Sequence, residues 1–404
     1  MIASTDHPSP HRRNVPLLAV AQALFMSTQA MGIATTPLAA WAMLEEKSLA
    51  TAPIFLNHAG IMLTTIPASL LMAHIGRRAG FSIGAILAVL FGAMASLAVW
   101  TQRFDLLCIA ALLQGAAAAF AWYYRFAAAD VSPMALKPRA ISYVMAGGIA
   151  AGLIGPELAK LTVDWFAPVT FLGVYLTISI IGAASLVLLQ ALRIPGLTAA
   201  ERAEGGRPLA IIMRQPTYKT ALISSMFGYG VMTLVMSATP LAMFGCGYGF
   251  AYSATVIQAH IIAMFLPSFF TGHLIQRFGV LPIIATGAVI EAGCALVNIA
   301  GVDFWNFMIA NILVGLGWNF TYVGGSTLLT RTYEPSERAK VQASHDFIVY
   351  ATTATAAAAA GYMQATAGWI TINLSALPMM LAIVLATLWL HLKWRAADRQ
   401  TLGT

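Results

Sequence analysis

Charge is what this sequence has least of: Asp, Glu, Lys and Arg make up 9% of its 404 residues, where a soluble domain carries about a quarter. A chain so poor in charge cannot clothe itself in polar surface, and with 59% hydrophobic residues and a mean hydropathy of +0.78 it is suited to lipid. Cysteine is nearly missing as well. Cys108, Cys246 and Cys294 fall in or beside apolar stretches without metal-ligand spacing, which argues against a disulfide framework and against zinc. There is no Gly-x-x-x-x-Gly-Lys-Ser/Thr loop and no polar segment long enough for a nucleotide domain, so an ATP motor is excluded. There is also no His-Glu-x-x-His, and the histidines are scattered, so neither an intramembrane enzyme nor a cofactor is expected.

What the chain has instead is a series of apolar stretches of about 20 residues, each long enough to cross about 30 Å of hydrocarbon. Charges and Gly/Pro clusters bound them near 16–43, 53–74, 80–101, 104–126, 139–163, 168–192, 218–244, 252–275, 279–300, 304–330, 338–366 and 369–393. The first is too long for a signal-peptide core and ends at Glu45 and Glu46 without a small-residue cleavage site, so it is expected to stay as a span. The net charge of +7 follows alternate loops. Arg12, Arg13, Arg77, Arg78, Arg125, Lys137, Arg139, Arg193, Arg202, Arg207, Arg214, Lys219, Arg277, Arg331, Arg338, Lys340, Lys393, Arg395 and Arg399 fall on one side; Lys47, Arg103 and Lys160 fall on the other. This asymmetry predicts an even number of spans with both termini cytoplasmic, and it makes the basic residues topology signals rather than a nucleic-acid surface.

The longest polar interruption, 193–217, divides the spans six and six. The expected organisation is a cytoplasmic N-terminus 1–15, a bundle 16–192, a linker 193–217, a second bundle 218–393 and a cytoplasmic tail 394–404. Shifting the chain on itself by about 200 residues brings Gly76 onto Gly279, Gly115 onto Gly315, Phe120 onto Phe320, and Arg139-Ala140 onto Arg338-Ala339. Paired six-span repeats with a substrate site at their interface are a transporter architecture.

The loop after the second span carries Ser69-Leu70-Leu71-Met72-Ala73-His74-Ile75-Gly76-Arg77-Arg78, and its copy reads Gly272-His273-Leu274-Ile275-Gln276-Arg277-Phe278-Gly279. These resemble the loop signature of the major facilitator superfamily, Gly-x-Leu-x-Asp-Arg-x-Gly-Arg-Arg, with Ala73 and Gln276 at the acidic position. The resemblance runs over essentially the whole chain. The family's fourth-span Arg-x-x-Gln-Gly survives as Ala111-Leu112-Leu113-Gln114-Gly115 without its Arg, and Gly152 with Gly155-Pro156 matches only part of the proton-antiporter signature. The implied fold is all-α, with twelve transmembrane helices in two six-helix bundles, the first, fourth, seventh and tenth spans lining a central cavity. Trp122-Tyr123-Tyr124-Arg125-Phe126 and Gly317-Trp318-Asn319-Phe320-Thr321-Tyr322 further resemble a bacterial branch that includes riboflavin-type transporters.

Polar side chains inside spans are costly unless they face protein or water, so they nominate the cavity. Gln22 and Gln29 share a face of the first span and either read a polar substrate edge or bond between helices. Gln114, Ala118, Trp122 and Arg125 fall on a stripe of the fourth span, flanked by Tyr123 and Tyr124. Arg125 there either holds an anionic or carbonyl-rich solute, or closes a gate with Asp130, or snorkels to headgroups. Asn311, Gly315, Trp318 and Tyr322, with Asn319 adjacent, repeat this pattern in the tenth span, and Tyr229 with Met232 and Met236 could complete an aromatic pocket for a planar heterocycle. The alternative is ordinary packing between helices.

Asp346, with His345 beside it, is a candidate for proton coupling or else a cap or a bridge to a loop Arg; Glu291 is expected at the periphery, on the lipid side or packing with Asn298. Glu157 and Lys160 have the spacing of a local helix pair. By the resemblance, Arg77 and Arg78 would gate with Asp130. The expectation is a monomeric secondary or facilitative transporter of a small organic solute, riboflavin being one such planar heterocycle, in the bacterial inner membrane, with protons as candidate coupling ion. The alternatives are a proton-coupled multidrug or metabolite exporter and, more remotely, an intramembrane enzyme or non-transporting receptor.

Overall fold

The computed structural model describes residues 10–44, 52–195, 206–248 and 250–402. Glu45, Glu46, Lys47, Glu201, Arg202, Glu204 and Gly205 lie outside the described residues, as does the side chain of Arg399. All regular elements among the described residues are helical, and packing divides the chain into two units, residues 1–198 and 199–404.

The first unit contains α1 (Pro10–Met43), α2 (Ala52–Ile75), α3 (Arg77–Thr101), α4 (Phe104–Ala121), α5 (Tyr124–Asp130), α6 (Lys137–Ala146), α7 (Ile149–Thr162) and α8 (Leu172–Leu189). Helix α4 lies between α2 and α3, α3 packs on α8, and α1 lies against α6, α7 and α8. The second unit contains the short α9 (Leu209–Arg214), then α10 (Pro216–Gly245), α11 (Phe250–Phe265), α12 (Ser268–Phe278), α13 (Val280–Ala300), α14 (Phe304–Leu329), α15 (Arg338–Thr366) and α16 (Gly368–Leu402). Here α14 is the enclosed centre, packed against α10, α11 and α13, while α15 and α16 close on α10.

Nine spans among the described residues, Phe104–Asp130 taken as one, are long and apolar enough to cross a membrane, and Thr255–Phe265 with Ser268–Phe278, bent by 41°, makes a tenth. The interrupted pair α6–α7 and the 29-residue α15 fill the other two expected positions. Three spans read as continuous are broken, each for a visible reason. At Trp122–Tyr123 the chain tightens to a 3-10 turn, the Tyr123 amide reaching the Phe120 carbonyl at 3.2 Å. The fifth span is interrupted at Gly147-Gly148, and the eighth at Pro267, whose ring supplies no N–H to the helix. Helices α1 and α16 run further toward the chain ends than the hydropathy boundaries, because a helix continues into water once its apolar part is anchored.

The internal repeat is visible in the backbone. Gly76 and Gly279, which start α3 and α13, have φ/ψ of 89°/159° and 90°/158°, a region open essentially to glycine alone. Gly115 and Gly315 repeat as well: a Cβ would lie 2.0 Å from the Asn57 carbonyl in one unit and 2.8 Å from that of His260 in the other, so both mark close helix crossings.

The outward faces stay apolar. Leu381, Leu385, Leu388 and Leu392 form an exposed ridge on α16 at four-, three- and four-residue steps, and Val289 and Leu296 do the same on α13. Exposed Trp100, at the end of α3, and Trp305, at the start of α14, have the interfacial placement of aromatic anchors. In water such faces would be interaction patches; on spans of this length they are the lipid surface.

Candidate functional site

In the first unit Gln22, Gln29 and Gln114 are all buried, each with one amide atom lacking a hydrogen-bond partner: Gln22 Nε2, Gln29 Oε1 and Gln114 Nε2. The Gln114 amide lies against Gly32 of α1, where a Cβ would come 2.2 Å from its Nε2, so α4 delivers it to the α1 face that carries Gln29 one turn earlier. Phe25, between the two glutamines on α1, meets Trp122 edge-on at 5.6 Å. Sequence reasoning passed over Phe25, although its spacing of three from Gln22 and four from Gln29 places it on their face.

The 3-10 turn after α4 redirects Arg125 inward. Its guanidinium is buried, Nη1 donates to the Trp122 carbonyl, and the carbon centre lies 4.2 Å from the Phe126 ring. This overturns the snorkelling alternative. Tyr123 donates to the Thr65 carbonyl at 3.2 Å, and Arg77 lies over its ring at 5.4 Å. Arg77 also donates from Nη2 to Asp130 Oδ2 at 3.1 Å, both side chains being under 10% exposed, whereas neighbouring Arg78 is exposed. The gating candidates Arg77 and Asp130 are therefore brought together, joining the start of α3 to the end of α5.

In the second unit the rings gather. Trp318 and Tyr322 stack at 5.1 Å with 16° between planes, and Tyr229 stands edge-on to both at 5.4 and 5.2 Å. Phe265 closes on Trp318 at 5.6 Å and Tyr350 on Tyr229 at 6.1 Å, with 3.4 Å between the Tyr322 and Tyr350 hydroxyl oxygens. Phe265 and Tyr350 were not anticipated; Tyr350 lies one turn beyond Asp346, which is the signal that could have found it. Trp318 Nε1 is buried without a partner, as is Asn311 Oδ1. Asn311 donates to Thr239 Oγ1 and the Phe307 carbonyl.

Asn319 is engaged elsewhere. It donates to the Met264 carbonyl at 2.7 Å and to Ser268 Oγ at 2.5 Å, and accepts from Thr271 at 2.7 Å, so its amide holds the bend at Pro267. His345 and Asp346 form a buried pair, Nδ1 to Oδ1 at 2.8 Å, two turns inside α15, which rules out a helix cap. Glu291 is buried, which overturns its expected lipid-side placement, and Asn298, two turns on, bonds to Asn373 at 2.8 Å. Glu157 and Lys160 form the expected local pair at 2.7 Å.

At the edge of the second unit, Arg207 donates three hydrogen bonds to Glu337, from its amide, Nε and Nη2 at 2.6, 2.8 and 2.6 Å, and a fourth from Nη2 to the Thr332 carbonyl. Arg207 holds the Glu337 carboxyl far below the usual range, at about 2.

Buried amides, an inward arginine and an aromatic cluster lie on apolar spans, and no cluster of metal-ligating side chains occurs among the described residues. The class is a polytopic helical transporter. No family model matches the chain. It is 37% identical over 96% of its length, and 97% of the other's, to a protein of Brucella anthropi named Riboflavin transporter RfnT. It is 26% identical over 94% of its length, and 91% of the other's, to the uncharacterized MFS-type transporter YddS of Bacillus subtilis. Among solved structures it matches the fucose transporter FucP, crystallised in the outward conformation, with TM-score 0.78 at 17% identity, covering 94% of this chain and 99% of that one. The chain belongs to the major facilitator superfamily. It moves a small solute across a membrane by alternating access and is not an enzyme.

Proposed function

We propose that the solute is riboflavin or a similarly flat heterocycle, carried by a monomer in the bacterial inner membrane with both termini cytoplasmic. The observation that carries this reading is the 37% identity, over 96% of the chain, to a protein named a riboflavin transporter. The Trp318–Tyr322 stack with Tyr229 edge-on supports it, since flat rings give a fused heterocycle apolar faces while the unpartnered Trp318 Nε1 and Asn311 Oδ1 offer a donor and an acceptor for its polar edge. Within the first unit, we assign Gln22, Gln29, Gln114, Trp122, Tyr123 and Arg125 to solute binding. The Arg77–Asp130 pair, with Arg78 beside it, acts as a gate, and His345–Asp346 is a proton-coupling pair. The orientation draws support from the uneven distribution of Lys and Arg between alternate loops.

The test is uptake of labelled riboflavin and a solute panel into vesicles holding the protein, with and without an imposed pH gradient. Saturable uptake competed by flavins is expected, with Trp318→Ala and Tyr229→Ala each raising the half-saturating concentration about tenfold, the loss of one stacking ring. Failure of riboflavin either to accumulate or to compete refutes the substrate.

A further inference from the structure

Glu291 sits midway along α13, fully buried, and no role described above uses it. Its Oε1 lies 3.1 Å from Thr321 Oγ1 on α14, while Oε2 has no partner. Space for the group is made by missing side chains. A Cβ on Gly317 of α14 would lie 2.4 Å from Glu291 Cγ; one on Gly228 of α10 would lie 2.2 Å from Thr321 Oγ1 and 3.4 Å from Glu291 Oε1. Carboxyl and hydroxyl therefore fill a notch where α10, α13 and α14 meet. Each notch residue immediately precedes one ring of the cluster: Gly228 precedes Tyr229, Gly317 precedes Trp318, and Thr321 precedes Tyr322.

The hydrogen-bond geometry favours a neutral acid. Thr321 Oγ1 is also 3.1 Å from the Gly317 carbonyl and 3.2 Å from that of Trp318, and its single proton can serve only one acceptor. When Glu291 carries a proton, it donates to Thr321 and Thr321 donates to its own helix, so both hydroxyl protons are placed. When Glu291 is ionised, Thr321 must abandon the helix carbonyls, and the second carboxylate oxygen stays buried without a donor.

No counter-charge stands close by, and no ion pair to Glu291 occurs among the described residues. Cys294, one turn on, is the titratable neighbour on α13 itself. On α10 the adjacent group is Tyr229, with Lys219 about 13 Å along the axis, and on α14 it is Tyr322. The Asn298–Asn373 bond sets the register with antiparallel α16, leaving His391 about 16 Å away, and His273 and Arg277 of α12 precede the start of α13, itself about 16 Å from Glu291.

We propose that Glu291 is a proton-binding site of the second unit, and that loss of its proton drives α13 away from α10 and α14, so that proton occupancy sets the arrangement of Tyr229, Trp318 and Tyr322. The proton passes from the carboxylic acid to a water that enters as the helices part, leaving the carboxylate hydrated. Because the group is sealed while the helices are packed, its exchange is tied to the conformational change. The site stands on the notch alone; only its influence on solute binding rests on the function proposed above.

The experiment uses the full chain in lipid nanodiscs, comparing wild type, Glu291→Gln and Thr321→Val. Infrared difference spectra across a pH titration read the carboxylic-acid carbonyl band, and tryptophan fluorescence reads the surroundings of Trp318. Wild type should lose an acid band as pH rises, with a fluorescence change at the same pH; both should vanish in Glu291→Gln, which mimics the neutral form. Thr321→Val removes the ionised form's only donor, and so should move the transition to higher pH by about one unit, a tenfold change in proton affinity. An identical acid band and fluorescence titration in wild type and Glu291→Gln overturns the proposal, as does an unmoved transition in Thr321→Val. These readouts contain no flavin, so a wrong substrate leaves them intact. If riboflavin is carried, Glu291→Gln should keep riboflavin exchange while losing the response to a pH gradient.

Discussion

Replacing Glu337 with Gln tests the strap between Arg207 and the turn ahead of α15. Glu337 Oε1 accepts from the Arg207 amide and Nε, and Oε2 from Arg207 Nη2 and, at 3.0 Å, the Glu334 amide. In either orientation a Gln amide turns an NH2 group toward two N–H donors, so two hydrogen bonds become repulsive contacts and the charge assistance is lost. The carboxyl's fall from 4.5 to about 2 corresponds to about 3 kcal/mol at about 1.4 kcal/mol per tenfold change in proton affinity. Glu337 is only 1% exposed but Arg207 is 44% exposed, and solvent screening of the guanidinium reduces the expected loss to about 2 kcal/mol. For a unit of this size that lowers the melting midpoint by about 4–8 °C.

The assay is thermal unfolding of purified wild type and Glu337→Gln between pH 7 and pH 3. The folded carboxyl binds protons more weakly than the unfolded one, so its stabilisation is complete above about 4.5 and lost as pH falls toward about 2. The gap between the two proteins should be full at pH 7 and less than half as large at about pH 3. A gap under about 1 °C at pH 7, or one undiminished in acid, refutes the reasoning.

Ala at Gly76 or Gly279 should each cost about 1–3 kcal/mol because the backbone there lies outside the region open to L residues, whereas Gly245→Ala, where a Cβ meets nothing, should leave the melting midpoint unchanged. Asn319→Ala deprives the Pro267 bend of three hydrogen bonds and should cost about 2–4 kcal/mol; a midpoint within about 1 °C of wild type would show that the bend holds without it. Asp130→Asn weakens the tie to Arg77 and should bias the carrier toward its inward-open form; unchanged accessibility labelling from the two sides would remove the gate.

The spans were legible because the cost of lipid contact acts on about twenty residues at once, so local errors average out. The breaks were legible only in part. Pro267 and Gly147-Gly148 are written in the sequence, but the turn at Trp122–Tyr123 falls at residues that helices accept elsewhere. The candidate residues divide the same way. A buried aromatic stripe at helical spacing could be read, which is why Trp318, Tyr322 and Tyr229 were found and do meet. Hydrogen-bond allegiance could not, since Asn311 and Asn319 look alike in sequence and differ only in which neighbouring backbone comes within 3 Å. Glu291 was misplaced because a helix expected at the periphery still buries one face, and the residues that accommodate the carboxyl, Gly228 and Gly317, lie far away in the chain.

The repeat also shows where duplication stopped dictating structure. Gly76 and Gly279 keep the same backbone angles, so the start of α3 and of α13 is held by a geometry that few residues can adopt. The charges beside them were free to diverge. Counting along the repeat, Arg77 corresponds to Val280, and Asp130 falls at Leu329 or Thr330, so the ion pair of the first unit has no charged counterpart in the second. There the buried carboxylate comes from Glu337 and its arginine from Arg207, just ahead of α9. Both units thus join segments near their loop ends with an arginine–carboxylate bond, but only the second reaches for the chain arriving from the other repeat. A segment tied down by three donors to one carboxylate and a fourth to the Thr332 carbonyl cannot slide freely when the carrier changes state, so motion of α15 must be felt at the linker.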